Sequence, residues 1–339
     1  MLFDINTLVD LVVVRARVDK TVPNRRNLRS GWLTDTLLTI IIDALVVGEY
    51  NDPTAYAKIA RRVLERLQDL LERLPEMEAL AMLAILRGER LLPLTSEQVE
   101  LVTRLSEDLK SAISALLKGT RKQRCLELYS YHMGVFYDTL CYFDLAVEMY
   151  KWAVREAGSR SSSAAISRYC AALSRLKQAL RVGKPAGELE ALFSDLEERF
   201  AQLAEALKGS ELEVQYVEGN CPVQMITACI WLNRRHPEWD DWVATALAAA
   251  EKLGGAWEPG AEFVRAAYME RCDDPQATKA LEAIAANNDN PNEIRATALL
   301  LLARRAFRAG NVDEAKKIIE QMPEQGAQHV RAIAEHMVS

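Results

Sequence analysis

Glycine and proline are scarce, at 15 and 11 among 339 residues. Tight hairpins and strand ends consume such residues, so their scarcity argues against an all-β chain and favours helices. Histidine is rarer still, limited to His132, His236, His329 and His336. The six cysteines, Cys125, Cys141, Cys170, Cys221, Cys229 and Cys272, are dispersed and form no CxxC pair. That pattern suits buried free thiols in a reducing compartment and speaks against a disulfide framework. Long apolar runs are missing too. The most apolar stretch, Leu37 to Val47, contains Asp43 and is too short to span a bilayer. Asp4 and Asp10 interrupt the region where a secretory signal would need a basic segment followed by an apolar run. The expectation is a cytoplasmic protein with no membrane segment. GxGxxG, Walker A, GxSxG and HExxH sequences are all absent. Phosphate-cradling loops, nucleophile elbows and the two-histidine zinc helix are therefore not signalled.

What is present has a globular balance, with 50% hydrophobic and 27% charged residues. There are 42 basic and 48 acidic side chains, a net charge of −6. Phosphate neutralisation supplies most nucleic-acid affinity, so such a chain would need a local basic patch. Two patches exist. Arg15, Arg17, Lys20, Arg25, Arg26 and Arg29 form one, and Arg160, Arg168, Arg175, Lys177, Arg181 and Lys184 form the other, with no acid between Ala157 and Gly187. The helix expected next, 188–207, is strongly acidic, and neighbouring helices of opposite charge can satisfy each other. Nucleic acid is the disfavoured partner.

The hydrophobic period is helical nearly everywhere. Ala60, Val63, Leu67, Leu70 and Leu74 form one seam, and Ile166, Tyr169, Leu173, Leu176 and Leu180 another. Asp52-Pro53, Asp274-Pro275 and Asn290-Pro291 offer a capping side chain before a proline. Thr95 with Gln98, and Ser210 with Glu213, have capping-box spacing. Gly48, Gly119, Gly158, Gly183 and Gly310 sit where helices should stop. Between these marks fall hairpins near 31–74, 77–117, 120–157, 162–208, 222–252, 259–287 and 291–322, with end helices near 3–18 and 325–338. The pattern breaks at 209–221, read either as a long loop or as a weak hinge between two halves.

Internal similarity bears on architecture. Met133-Gly134 is followed by Tyr137, then by Ala146, Tyr150 and Ala153. At this spacing residues 127–160 resemble the tetratricopeptide repeat, a helix–turn–helix unit of about 34 residues. Residues 296–329 resemble a weaker copy. Its turn is Gly310-Asn311-Val312-Asp313-Glu314-Ala315, but Ala303 and Ala306 stand where the family has glycine and tyrosine. The resemblance implies an all-α fold, a right-handed α-solenoid of about seven antiparallel hairpins that runs through residues 1–339 as a single domain. It also implies a concave face lined by the first helix of each unit, presenting Val135 and Asp138 in one copy and Arg304, Phe307 and Arg308 in the other.

No catalytic residue, metal ligand or cofactor is expected. His329 and His336 share a helical face, but two ligands seldom make a zinc site. Cys125 and His132 lie about 10 Å apart along one helix, too far for a thiolate–imidazole pair. Asp240-Asp241 and Asp273-Asp274 could serve as carboxylate pairs in a helical toroid, yet they stand at expected helix starts, where acids cap. Trp231, Trp239, Trp242 and Trp257 cluster in sequence. Trp239 and Trp242 share a face, as a binding anchor or as core packing between hairpins. The expected function is a protein-interaction scaffold or adaptor that holds a partner protein or peptide. The alternatives are a nucleic-acid-associated regulator and a toroid enzyme. Arg304 and Arg308, flanking Phe307, suggest an acidic segment as the partner, unless they are solvated or pair with Glu270 or Glu293.

Overall fold

A computed structural model describes residues 119–339 except 159–160, 211, 254–257 and 289, together with the single positions 96, 99, 103, 110 and 114. But for those positions, the expected elements before residue 119 lie outside the described residues, as do the N-terminal basic patch and Trp257. All regular structure among the described residues is helical. In order come α1 (Gly119–Thr139), α2 (Phe143–Ala157), α3 (Ser162–Arg181) and α4 (Ala186–Leu207). A π-helix (Val214–Asn220) then runs directly into α5 (Cys221–Trp231). There follow α6 (Trp239–Leu253), α7 (Glu258–Arg271), α8 (Ala277–Ala286), α9 (Asn292–Arg308), α10 (Val312–Glu320) and α11 (Gln328–Val338). None of these is long and apolar enough to cross a membrane.

The chain divides into two compact units, Met1–Phe136 with Trp152–Ala157, and Tyr137–Lys151 with Gly158–Ser339. In the first unit Tyr129 meets Trp152 edge to face at 5.8 Å, and the Trp152 indole N–H donates to Glu156 at 2.9 Å. The Lys110 ammonium lies 4.8 Å from the Trp152 ring centroid. Gly134 is buried and Val135 half-buried.

In the second unit α3, α5, α7, α9 and α11 form an inner layer, and α4, α6, α8 and α10 pack outside it. The inner helices touch one another, α5 with α7 and α9, α7 with α9, and α9 with α11. Finally α11 returns to pack on α3. Contacts in this unit therefore reach beyond successive hairpins. Its core is apolar and close-fitted. Phe193, Leu196, Leu203 and Leu207 make one fully buried stripe along α4, and each such side chain is worth about 1.5–3 kcal/mol of burial.

The first helix of each hairpin stops in the same way. Cys141, Gly183, Asn233, Asp273 and Gly310 all take left-handed backbone. In each case the next amide bonds back five residues, Tyr142 to Tyr137, Lys184 to Ala179, Arg234 to Cys229, Asp274 to Met269 and Asn311 to Ala306. This is the Schellman closure, which satisfies carbonyls that the helix end would leave orphaned. Glycine takes such backbone freely and Asn or Asp tolerably, whereas cysteine at φ 60° is strained.

Two expected features differ. The break at 209–221 holds the π-helix, and Glu213 reaches back to the Gly209 amide at 2.6 Å. Proline at 222 offers no amide proton, and the Cys221 amide bonds to the Tyr216 carbonyl. Asn290 does not cap α9. Its buried side-chain amide donates to the Ile284 carbonyl at 3.0 Å, at the end of α8. Asp274 does accept from the Gln276 amide at 2.7 Å, and Asp240 and Asp241 lie in the first turn of α6, so both acidic doublets stand at helix starts.

Candidate functional site

A buried ion cluster and an open groove in the second unit gather polar side chains. The cluster grows from α3. Its apolar stripe is buried as the periodicity requires, but Lys177 shares that face. A buried ammonium needs partners, and here there are two. Asp138, at the end of α1, and Glu293, in the first turn of α9, each lie 2.7 Å from the Lys177 ammonium. Burial alone would lower the lysine pKa. The two carboxylates outweigh it and hold the ammonium above its ordinary range. Ser174 donates to the other oxygen of Asp138. Arg181 donates to the Cys141 carbonyl at 2.7 Å, which fastens the strained turn to α3.

His329 of α11 closes the cluster. It is fully buried, edge-on to Trp231 at 4.7 Å and to Phe143 at 5.4 Å. Its Nδ1 lies 4.0 Å from the Cys141 sulfur and its Nε2 3.5 Å from Glu293. The outline is that of a cysteine–histidine–carboxylate triad, but the electrostatics oppose one. Burial raises the Cys141 thiol to about 11. Burial first, then Lys177 and Arg181, push the imidazole well below its usual value. A thiolate–imidazolium pair needs the opposite of both shifts. Cys141 and His329 are also 1% and 0% exposed, so bulk solvent does not reach either side chain. Alkylation of the native protein at pH 8 is expected to mark the exposed Cys272 and to spare Cys141 and Cys229, whose thiols burial raises to about 11 and about 12. Peptide mass spectrometry reads the outcome, and rapid native labelling of Cys141 would restore it as a nucleophile.

The groove lies between α8, α9 and α10 and encloses about 580 Å³. Leu299, Leu302 and Ala306 of α9 make its floor, and Glu282 with Ala285 and Glu314 with Ile318 face it from α8 and α10. Arg295 and Arg305 also line it, and both are engaged. Arg295 donates to the Ala285 carbonyl at 3.0 Å and Arg305 to Glu270 at 3.0 Å.

The residues expected to bind a partner do not come together. Asp138 belongs to the ion cluster. Arg304 faces inward, and its guanidinium donates to the carbonyls of Ile230 and Trp231, capping α5. Burial and the neighbouring Arg308 lower its pKa to about 10, so it stays charged at neutral pH. Its partners are neither Glu270 nor Glu293. Phe307 and Arg308 are exposed but line no part of the groove. Trp239 and Trp242 are 4% and 6% exposed. Trp242 stacks on His236 at 4.4 Å and Arg271 lies over Trp239 at 4.9 Å, so neither ring offers a free face. In the second basic patch Lys177 is held by Asp138 and Glu293, Arg175 on α3 pairs with Asp195 at 2.9 Å, and Lys184 beyond the helix pairs with Glu188 at 3.1 Å.

Sequence reasoning placed Lys177 in a basic patch and Glu293 beside Arg304, foresaw neither the ion cluster they form nor the groove of Glu282 and Glu314, and passed over the Cys141–His329 contact. Only Lys177 carried a signal, as the one charge at an apolar position of the α3 stripe. His329 is buried and His336 exposed, and no group of three potential metal ligands gathers among the described residues. Compared with known proteins, the chain matches no family and no curated protein.

Proposed function

We propose that the protein is a non-catalytic interaction scaffold, a tetratricopeptide-like α-solenoid whose groove between α8, α9 and α10 holds an extended segment of a partner protein. The observation that carries this reading is the groove itself, an apolar floor with polar walls supplied by three successive helices. A volume of about 580 Å³ falls in the range of small-ligand sites, and the open trough suits a chain better than a compact molecule. Its floor and its α10 wall fall within residues 296–329, the weaker repeat-like copy, and its α8 wall precedes them. The internal pairing of α3 weighs against nucleic acid, and the raised Cys141 thiol beside a neutral His329 weighs against a cysteine enzyme. A cytoplasmic setting accords with the dispersed thiols.

Selection from a displayed library of short peptides tests the reading. Enriched peptides are expected to compete with one another and to lose binding to Ala306→Trp, which fills the floor, while the melting temperature holds. Failure to enrich any sequence, or binding indifferent to Ala306→Trp, would remove the groove as the site.

A further inference from the structure

The charge left unpaired in this groove is acidic. Among the described residues Glu282 and Glu314 have no ion-pair or hydrogen-bond partner, while both lining arginines are bound to the protein's own acceptors. Arg305 is neutralised by Glu270 at 3.0 Å, and Arg295 lies against the negative C-terminal end of α8. We propose, resting on the reading of the groove as a peptide site, that its occupant is a basic extended segment with two cationic side chains three residues apart.

The spacing follows from the helices. Between Arg295 and Ala306 the floor runs about 16 Å along α9, room for about five residues of extended chain. The Arg295 contact sets Ala285 level with one end, so Glu282 stands about one turn in from it. Glu314 lies in the first turn of α10, beside the turn where the Asn311 amide meets the Ala306 carbonyl, and so marks the other end. The two carboxylates are thus about 10 Å apart along the groove, on opposite walls. In an extended chain side chains alternate in direction, and residues three apart are separated by about 10 Å and point to opposite sides. Lys-x-x-Lys places an ammonium at each wall while the peptide backbone runs over Leu299 and Leu302.

The test uses the full chain and three fluorescein-labelled hexapeptides, identical around a Leu-Ala centre except for paired Lys, Gln or Glu three residues apart. Fluorescence anisotropy is expected to rank the Lys peptide about tenfold tighter than the Gln peptide, with the Glu peptide weakest. Glu282→Gln with Glu314→Gln is expected to erase the preference for Lys at unchanged melting temperature, and 0.5 M salt to do the same in the wild type. Equal or tighter binding of the Gln or Glu peptide would overturn the proposal and leave the groove a peptide site. Lys-peptide binding that survives the double substitution would also overturn it. Spermidine alone binding as tightly as the Lys peptide would make the ligand a small polycation and overturn it too. If none of the three peptides binds and library selection also fails, the peptide-site reading falls along with it.

Discussion

Lys177→Met is expected to lower the unfolding free energy by about 3 kcal/mol. The ammonium is 5% exposed and bridges two carboxylates from helices far apart in the chain. Methionine has nearly the lysine stem's volume, so the loss is electrostatic and not a cavity. Without the cation Asp138 keeps Ser174 from α3, and the two carboxylates lose the counter-ion they share beside the Trp231 ring. Breaking a buried ion pair by removing one partner costs about 3–5 kcal/mol. The side chains of Asp138 and Glu293 are 17% and 27% exposed, so water relieves part of the cost and the lower end of that range applies. Adding Asp138→Asn and Glu293→Gln to Lys177→Met should recover most of the loss, since a neutral set replaces an uncompensated one. Urea titration followed by circular dichroism measures this as a shift in midpoint at constant slope. A loss under 1 kcal/mol would mean that solvent already screens the cluster.

The helices were more legible in the sequence than the site. From residue 119 onward each expected hairpin has its two helices, because glycine and proline punctuate helices locally. Gly183 and Gly310 announced their turns, whereas Cys141, Asn233 and Asp273 adopt the same left-handed conformation without glycine and went unread. The π-helix is a change of hydrogen-bond register, for which composition leaves only a broken period. The ion cluster is tertiary. Lys177 finds Asp138 on α1 and Glu293 on α9, and no periodicity along α3 says what another helix brings to it. Arg304 shows the same limit from the other side. Its spacing from Arg308 was correct for a shared helix face, but that face turns toward the end of α5, and Arg305, one residue on, lines the groove.

Acidification from pH 8 to pH 5 is expected to cost about 2 kcal/mol of stability through His329 alone. In the folded protein this imidazole is held neutral, chiefly by burial and further by Lys177 and Arg181, so its pKa lies well below 6.5. In the unfolded chain it titrates near its ordinary value of about 6.5. Below that pH the unfolded state binds a proton that the folded state refuses. The contribution is therefore fully present above about 6.5 and is lost as pH falls toward the folded value, at up to about 1.4 kcal/mol per pH unit. Among the described residues the acid nearest the ring is Glu293, 3.5 Å from Nε2, which would favour the imidazolium, but its carboxylate is engaged by Lys177. Protonation would set three cations, Lys177, Arg181 and His329, against two acids, Asp138 and Glu293, in a closed space. His329→Gln removes the titration while keeping a neutral polar side chain of similar size. Unfolding free energies at pH 8, 6.5, 6 and 5 should fall more steeply in the wild type than in this variant, and the difference between the two curves isolates His329 from the other histidines and the carboxylates. Parallel curves would show that the folded ring titrates at its unfolded value, and a wild type that falls less steeply than the variant would show a ring protonated in the folded state with Glu293 as counter-ion.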